Sequence, residues 1–425
     1  MLQTAALIFL CFPLFVLADA TDAYKEIKPL IFQVKVSANS SLDKNSYGTG
    51  FVVDRKGLLV TNYHVVAEAI WKPQHNKVFV EILKDRVEAQ ILAVDFVNDL
   101  ALIQVPTTFD SEVRISKRSP PQGGDLFSLG LPEDVNWTVV RGVYNGFVDQ
   151  GPYELIYMAT PLNPGMSGGP TVNDKKELVA VNVSTHRYSQ QISFGVPAKF
   201  VDAMMARYRT KPVEEADLIG SLGRQLAALQ LAFKELIIEG YKDAKPIDSA
   251  RLPHFSKKIR CWGSSKKDDD DMKFDAQTES CAIDQNISLS EGTSTGVFTS
   301  EFSVIKNKTM PLLSFNMKRV GGWGQYPAAM SVKSFDQDSK INFMPMKCSR
   351  ERVTPKMGLM RTISVCLQSM MPLSEFYDVY IEAVVPLASG SYVHGELALG
   401  GLTLETVKDV TRAIIEHDYE VLVKP

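Results

Sequence analysis

Short apolar runs separated by turn residues fill the chain from about Tyr24 to Val201. The first group of runs is Ile31–Val36, Gly50–Val53, Leu58–Thr61, Val78–Leu83, Val87–Val94 and Leu100–Val105. The second group follows a stretch rich in Pro and Gly, Ser119–Asp125, and is Leu126–Leu129, Val139–Phe147, Leu155–Met158, Leu178–Val183 and Ile192–Val196. Many short strands with turn signals between them are typical of all-β barrels and sandwiches. Two successive groups predict an all-β fold of two small barrels side by side.

The apolar positions change period after the second group. Between Val213 and Tyr241 no Pro interrupts the chain, and apolar residues recur at steps of three and four, at Leu218, Leu222, Leu226, Leu229, Phe233 and Ile237. This spacing predicts one long amphipathic helix. Strand-like runs return after Lys245, at Val297–Val304, Ile341–Met344, Thr362–Leu367 and Tyr377–Val385, and the segment Thr403–His417 has the pattern of a final helix.

The beginning of the chain has the pattern of an export signal. Ala5–Leu17 is uncharged and apolar but too short to span a bilayer, and Ala18-Asp19-Ala20 offers small residues at the cleavage-defining positions. The preceding Met-Leu-Gln-Thr carries no Lys or Arg, so an uncleaved anchor remains an alternative. We assign residues 1–20 to a signal peptide, 21–208 to the double-barrel domain, 209–244 to a helical linker and 245–425 to a C-terminal α+β domain of unknown role.

Composition and charge narrow the class of protein. Of the 425 residues, 45% are hydrophobic and 22% are charged, which is ordinary for a globular protein and argues against disorder, collagen or coiled coil. The formal net charge is −3, so the concentrated positive surface that nucleic-acid binding requires is not expected. At this length the chain is expected to hold two or three domains.

Cysteine usage indicates an oxidising compartment. Cys11 falls in the predicted signal, and the other cysteines all lie in the C-terminal half, at Cys261, Cys281, Cys348 and Cys366. None forms a C-x-x-C pair and no His lies at zinc-finger distance, so neither a metal nor another cofactor is expected. Four cysteines allow three disulfide connectivities. We favour Cys261 with Cys281 and Cys348 with Cys366, because these pairs close the shortest loops and would staple the C-terminal domain.

Three segments of the β region carry residues suited to nucleophilic catalysis. His64 follows the predicted strand Leu58–Thr61, where its ring can be held rigidly. Asp99 lies at the mouth of an apolar strand, where a buried carboxylate needs a partner such as an imidazole N–H. Ser167 lies in the turn Asn163–Pro170, whose glycines can point backbone N–H groups toward its hydroxyl. Taken alone, each has a structural alternative: a packed histidine, a surface turn, or a Gly-rich turn with an incidental serine.

Together the three residues specify acyl transfer. A serine hydroxyl needs a base to remove its proton, and the base needs a carboxylate that fixes its tautomer. The order His64, Asp99, Ser167 fits a double barrel in which the first two residues belong to one barrel and the serine to the other.

The segments around these residues resemble the three signatures of trypsin-like serine peptidases, most closely those of the HtrA/Deg-type branch. The matching segments are Thr61–Val66, Asn98–Leu102 and Gly165–Pro170. The resemblance extends over about residues 25–205 and implies a chymotrypsin-like fold, with the backbone N–H groups of Gly165 and Ser167 as the oxyanion hole. Met166 stands where HtrA-type members often have Asn, and no PDZ-like segment is recognisable in the C-terminal half.

The same fold implies where the substrate pocket lies. Its walls would come from the segment before the serine and the strand after it, which contain Pro161, Leu162, Val181, Asn182 and Val183. None of these is acidic, which favours a small or medium apolar residue before the scissile bond over Arg or Lys. Such residues are mostly buried in folded proteins, so the expected partners are unfolded or flexible polypeptides.

The sequence therefore predicts an exported serine endopeptidase, periplasmic or secreted. The alternative is a protease-fold binding or chaperone-like protein whose C-terminal domain carries the function. An esterase is not favoured, because the alternating βαβ pattern of α/β-hydrolases is absent around Ser167. The histidines outside the predicted triad lie among polar or charged neighbours and are expected at the surface; they are His75, His186, His254, His394 and His417.

Overall fold

The computed structural model of the chain describes residues 20–38, 44–132, 137–149, 154–185, 192–210, 218–247, 250–255, 259–266, 273–283, 287–290, 293–315, 341–355, 360–387 and 390–419. The predicted signal peptide therefore lies outside the described residues except for Ala20, which begins the first helix. Among the helices of the described part, none combines the length and apolar composition needed to cross a membrane.

The first barrel consists of six antiparallel strands in the closed order β1-β2-β3-β6-β5-β4. The strands are β1 (Ile31–Ala38), β2 (Lys44–Asp54), β3 (Leu58–Thr61), β4 (Asn76–Ile82), β5 (Asp85–Asp95) and β6 (Leu100–Gln104). Helix α1 (Ala20–Ile27) precedes the barrel, and helix α2 (Tyr63–Trp71) connects β3 to β4. Side chains from alternating strand positions, such as Val34 and Val80, fill the interior and are fully buried.

The second barrel repeats this arrangement in the closed order β10-β11-β12-β9-β8-β7. Its strands are β7 (Asp125–Gly130), β8 (Thr138–Asp149), β9 (Glu154–Ala159), β10 (Pro170–Val172), β11 (Leu178–Thr185) and β12 (Ser193–Pro197), and helix α3 (Ala198–Thr210) follows. The predicted all-β double barrel is thus confirmed.

The C-terminal part is a large antiparallel sheet with two helices. Helix α4 (Leu218–Lys242) leads into it, and residues 213–217 of the predicted helix lie outside the described residues. The short strands β13 (Lys245–Ile247) and β14 (Ala250–Leu252) form one hairpin, and β17 (Ile287–Ser290) and β18 (Thr293–Thr295) form another. The main sheet has the order β15-β16-β19-β24-β23-β22-β20, with β21 also paired to β22. Its strands are β15 (Arg260–Lys266), β16 (Phe274–Ala282), β19 (Phe298–Asn307), β20 (Asn342–Phe343), β21 (Lys347–Val353), β22 (Arg361–Met371), β23 (Phe376–Pro386) and β24 (Tyr392–Thr403), followed by helix α5 (Leu404–Glu416).

Helix α4 packs against both the C-terminal sheet and α5. Leu222, Leu226 and Ile237 on one stripe of the helix are fully buried. The Gln230 side chain accepts hydrogen bonds from the N–H of Thr403 at 2.9 Å and from the hydroxyl of Thr406 at 2.9 Å, at the start of α5. One continuous cluster of buried apolar side chains runs from the first barrel through α4 into the sheet. The helical segment assigned to a linker therefore also forms a packed layer of the C-terminal fold.

The prediction that His394 lies at the surface is wrong. His394 is 6% exposed on β24, where Nε2 lies 3.2 Å from Oε1 of Glu382 and 3.7 Å from Oε1 of Glu396. Burial raises the pKa of Glu382, but the hydrogen bonds from His394 and Arg350 lower it by more, to about 2. The carboxylates provide the partners that a buried imidazole requires.

Each disulfide joins two residues that face each other on neighbouring strands. Cys261 lies opposite Cys281 in the pair β15–β16, and Cys348 lies opposite Cys366 in the pair β21–β22. The two Cα atoms are 4.1 Å apart in the Cys261–Cys281 bridge and 4.0 Å apart in the Cys348–Cys366 bridge. Both bridges therefore tie a strand that lies outside the centre of the sheet to a more central one.

The double variant Cys348→Ser/Cys366→Ser is expected to lower the free energy of unfolding of the C-terminal sheet by about 2–4 kcal/mol, because the open chain gains conformational entropy when unfolded. The measurement is hydrogen exchange of β22 and β23 peptides as a function of urea. Peptides from the second barrel, which packs apart from these strands, serve as the internal control. An unchanged urea midpoint for β22 and β23 would contradict the expectation.

Candidate active site

Asp99 caps the helix that carries His64. His64 is the second residue of α2, and the preceding Asn62 makes no side-chain capping bond. Instead the N–H of Tyr63 donates to the carbonyl of Asp99 at 3.1 Å, and the N–H of His64 donates to Oδ1 of Asp99 at 2.9 Å. The first N–H groups of a helix have no partner within the helix, so Asp99 satisfies two of them. This fixes the start of α2 against the β5–β6 connection.

The same carboxylate holds the imidazole ring of His64. Nδ1 of His64 lies 2.7 Å from Oδ2 of Asp99. A carboxylate only accepts hydrogen bonds, so we assign the proton to Nδ1, which leaves Nε2 as an acceptor. The ring keeps 36% of its side-chain surface exposed, so it is held firmly and remains accessible.

The pKa of His64 is raised above its ordinary value of 6.5. Desolvation lowers this pKa, but the attraction of the Asp99 carboxylate and its hydrogen bond together raise it by more. Because the pKa is higher in the folded chain than in the unfolded one, the charged pair stabilises the fold at pH values below the unfolded pKa. That stabilisation is lost as the pH rises through the folded pKa of His64.

The loop that delivers Asp99 has an unusual backbone conformation. Asp99 has a φ of +53°, in the left-handed region that residues other than glycine seldom occupy. At the start of the loop, Oδ1 of the buried Asp95 accepts hydrogen bonds from the backbone N–H of Asn98 at 3.1 Å and from its side-chain amide at 3.0 Å. Oδ2 of Asp95 pairs with Arg207 of α3 at 3.0 Å. These contacts stabilise a tight turn that would otherwise relax.

Ser167 lies on a glycine turn of the second barrel that packs against the first. Gly165 and Gly168 have φ values of +90° and +82°. A Cβ on Gly168 would lie 2.2 Å from the carbonyl oxygen of Thr49, so only glycine allows this approach. The N–H of Thr49 donates to the carbonyl of Ser167 at 2.8 Å, and its hydroxyl donates to the carbonyl of Gly165 at 2.6 Å. Thr49 therefore joins the serine turn to the barrel that holds His64 and Asp99.

The Ser167 hydroxyl donates to the carbonyl of Val183 at 3.0 Å. In the part of the chain that the structure describes, it makes no hydrogen bond to His64. Gly48 lies between the carbonyl of Ser167 and the side chain of Val65, which follows His64 in α2, so the serine turn packs near the start of this helix. The backbone N–H groups of Gly165 and Ser167 donate to no acceptor among the described residues. They remain available to a ligand.

A buried polar network in the second barrel supports the serine turn. The hydroxyls of Ser128 and Thr171 lie 2.6 Å apart, and Thr171 donates to Oδ1 of Asn182 at 2.6 Å. The Asn182 amide in turn donates to the carbonyls of Leu129 at 3.1 Å and Met166 at 3.3 Å. All three polar side chains are fully buried, so the network rigidifies the turn at low dielectric.

Several side chains predicted to line the substrate pocket serve other purposes. Leu162 packs in the apolar core of the second barrel with Met158 and Met166, and Val181 is fully buried. The Asn182 side chain belongs to the network beneath the serine turn. Of the five residues named as pocket walls, Pro161 is exposed and Val183 is partly exposed. The side chains of Leu162, Val181 and Asn182 are thus buried, while their place in the pocket walls stays a prediction.

Two features of the site were missed at the level of sequence. Thr49 gives only a weak signal, as the polar residue of the Gly48-Thr-Gly50 tripeptide. The Val183 carbonyl that accepts from Ser167 gives none, because any residue type supplies a carbonyl.

The chain is similar in sequence to known serine peptidases. Residues 48–181, which include His64, Asp99 and Ser167, match the trypsin-like peptidase domain model. The serine endoprotease DegS of Escherichia coli is 25% identical over 210 residues, which is 46% of this chain and 58% of DegS. Human serine protease HTRA4 is 27% identical over 218 residues, or 48% of this chain and 44% of HTRA4. The chain thus spans about half the length of these relatives. A serine endoprotease from Yersinia pestis has a solved structure that aligns with a TM-score of 0.39 and 23% identity, over 46% of this chain and 68% of that one.

Asp99→Asn is expected to lower the pKa of His64, because the attraction that raises it is removed while desolvation remains. Titration of the histidine ring signals by NMR in the full chain measures this, with His64→Gln identifying the resonance. Glu68→Gln is the control, since it removes a charge one turn further along α2 and should leave the titration of His64 close to that of the parent chain. Equal pKa values in the parent and Asp99→Asn chains would contradict the role given to Asp99.

Proposed function

We propose that the trypsin-like peptidase domain of this chain is a serine endopeptidase, with His64 as general base, Asp99 as its orienting partner and Ser167 as nucleophile. The observation that carries the proposal is the 2.7 Å contact between Nδ1 of His64 and Asp99. It leaves Nε2 of His64 unprotonated, on a helix whose Val65 side chain is separated from the Ser167 carbonyl by Gly48. A serine hydroxyl becomes a useful nucleophile only beside such a base.

The reaction follows from these roles. Oγ of Ser167 attacks the carbonyl carbon of a peptide bond while its proton passes to Nε2 of His64. The backbone N–H groups of Gly165 and Ser167, which no described acceptor uses, would bind the oxygen that becomes negatively charged. The C–N bond then breaks, and His64 gives the proton to the leaving amine. Water repeats the sequence on the acyl-enzyme and releases the acid.

The resting position of the Ser167 hydroxyl favours a second candidate. Because the hydroxyl donates to the Val183 carbonyl, it must rotate toward Nε2 of His64 before it can react. A protease-fold binding or chaperone-like protein could keep this arrangement permanently. We favour the enzyme because hydrogen bonds of this kind often align only when substrate is bound, and because His64, Asp99 and the glycine turn are all in place.

Substrates, compartment and domain roles follow from the same proposal. Polypeptides in unfolded or flexible form are the substrate class, because a small apolar residue before the scissile bond is seldom accessible in a folded protein. The two disulfides fit an exported protein, periplasmic or secreted, from which residues 1–20 are removed as a signal. The peptidase domain would comprise residues 21–208 and the C-terminal domain residues 245–425.

Ser167→Ala and His64→Ala are each expected to lower kcat/KM for an unfolded protein by roughly 10⁴- to 10⁶-fold, because the two residues act as one unit. The double variant should be hardly less active than either single one. The measurement is cleavage of a fluorescently labelled unfolded protein by the full chain. Full activity of Ser167→Ala would end the assignment.

Covalent labelling separates the two candidate functions. A serine-directed phosphonate should modify Ser167 in the parent chain, as seen by mass spectrometry, and should fail with Ser167→Ala. If the parent chain binds unfolded protein but is neither labelled nor active, the binding or chaperone-like function is the correct one.

Cleavage is expected after small or medium apolar residues such as Val, Ala or Leu, and not after Arg or Lys. Neither segment proposed to flank the pocket, Thr160–Asn163 or Val181–Ser184, contains a carboxylate that could pair with a cation. Burying an unpaired charge there would be unfavourable by several kcal/mol. A peptide-library profile tests the specificity, and a profile dominated by cleavage after Arg or Lys would contradict it.

A further inference from the structure

The two segments that carry His64 and Asp99 both rest on the C-terminal half of the chain. Helix α2 contacts β17, and the connection from β5 to β6 contacts α4. Neither contact involves the second barrel. The surface of the first barrel behind the His64–Asp99 pair is therefore covered by elements that lie outside the matched peptidase domain.

Gln225 of α4 makes the contact behind Asp99. Its side-chain oxygen accepts hydrogen bonds from the backbone N–H of Phe96 at 2.7 Å and of Val97 at 3.3 Å. Its side-chain amide donates to the carbonyl of Val94 at 3.0 Å. One side chain thus satisfies three backbone groups, one at the end of β5 and two in the loop that leads into Asp99. The amide of Gln225 is itself held by the hydroxyl of Ser221 at 3.1 Å, one turn earlier in α4.

Tyr63 makes the contact behind His64. Its hydroxyl donates to the carbonyl of Leu289 in β17 at 3.1 Å and accepts from the indole N–H of Trp71 at 2.6 Å. The Tyr63 and Phe96 rings meet edge to face, with centroids 4.8 Å apart. A continuous path of contacts therefore runs from Leu289 through Tyr63 and Phe96 to Gln225. On this path, Tyr63 immediately precedes His64 in the sequence, and Phe96 lies three residues before Asp99.

We propose that Gln225, supported by the Tyr63–Leu289 contact, is a positioning residue through which the C-terminal domain holds Asp99 against His64. The inference rests on the proposed peptidase function. A left-handed backbone at a residue such as Asp99 persists only when its surroundings impose it, and Gln225 provides the partners for the N–H groups just before it. Without them the turn can relax, and the Asp99 carboxylate can withdraw from the ring.

Few charged groups other than Asp99 lie near the His64 ring. Asp95 and Arg207 pair with each other at the start of the loop, and Glu68 lies one turn further along α2. Among the described residues, Asp99 is the charged group that acts on the His64 ring. A change in the titration of His64 therefore reports on the position of the Asp99 carboxylate.

Gln225→Ala in the full chain is the central variant. We expect kcat to fall by about ten- to a hundredfold, as for a small displacement of a catalytic group, while KM stays within about twofold. The titration of His64, followed by NMR, should move to lower pH in the direction of the Asp99→Asn chain.

Gln225→Glu keeps the acceptor for Phe96 and Val97 but loses the donor to Val94. Its kcat should lie between that of the parent chain and that of Gln225→Ala. If the alanine variant folds poorly, Gln225→Glu replaces it in the experiment.

Gln230→Ala is the matched control. Gln230 lies on the same helix and also binds backbone and side-chain groups through its amide, but its partners belong to α5 and the end of β24. This variant should leave kcat and the titration of His64 close to the values of the parent chain.

Two results would overturn the inference. One is an unchanged His64 titration in Gln225→Ala, whatever happens to kcat. The other is a Gln230→Ala chain that reproduces the losses of Gln225→Ala, which would indicate general loosening of the C-terminal domain. If the parent chain shows no turnover, the proposed function fails, but the His64 titration still decides whether Gln225 positions Asp99.

Discussion

The carboxylate of Asp99 makes the contact on which the rest of the site depends. It accepts from the backbone N–H of His64 and from its ring, so one anion sets both the start of α2 and the orientation of the imidazole. A free helix N-terminus carries unsatisfied donors, and these strengthen the attraction for the carboxylate. The left-handed backbone of Asp99 is the structural cost of this double contact, and the bonds from Asp95 and Gln225 offset it.

The interface between the barrels fixes the serine turn against the barrel that carries this pair. Thr49 of the first barrel binds both ends of the Gly165–Ser167 segment, while Asn182 and Thr171 support the turn from the second barrel. Backbone carbonyls accept most of these bonds, so the turn is held by its main chain and the hydroxyl is left free to rotate. This explains how Ser167 can rest on the Val183 carbonyl without disturbing the turn.

Sequence patterns predicted the features that depend on local chemistry. Turn-separated apolar runs predicted the strands of both barrels except β10, and the residues around His64 and Asp99 predicted that their two segments meet, because such motifs combine backbone geometry with a reactive side chain. Features that depend on distant partners escaped prediction. Gln225 looks like an exposed helix residue until the loop before Asp99 is placed against it, and His394 looks solvated until Glu382 and Glu396 lie beside it.

One sequence feature signals the contact between α2 and the C-terminal half of the chain, although its meaning emerges only with the fold. Helix α2 is apolar on nearly all sides, and its residues from Tyr63 to Trp71 are buried except His64 and Glu68. A surface helix normally buries a single stripe, so a helix apolar all round must be covered from two directions. The barrel covers one side, and β17, with the fully buried Leu289, covers another. The composition of α2 therefore requires a second layer, and β17 supplies it on the side that the barrel leaves uncovered.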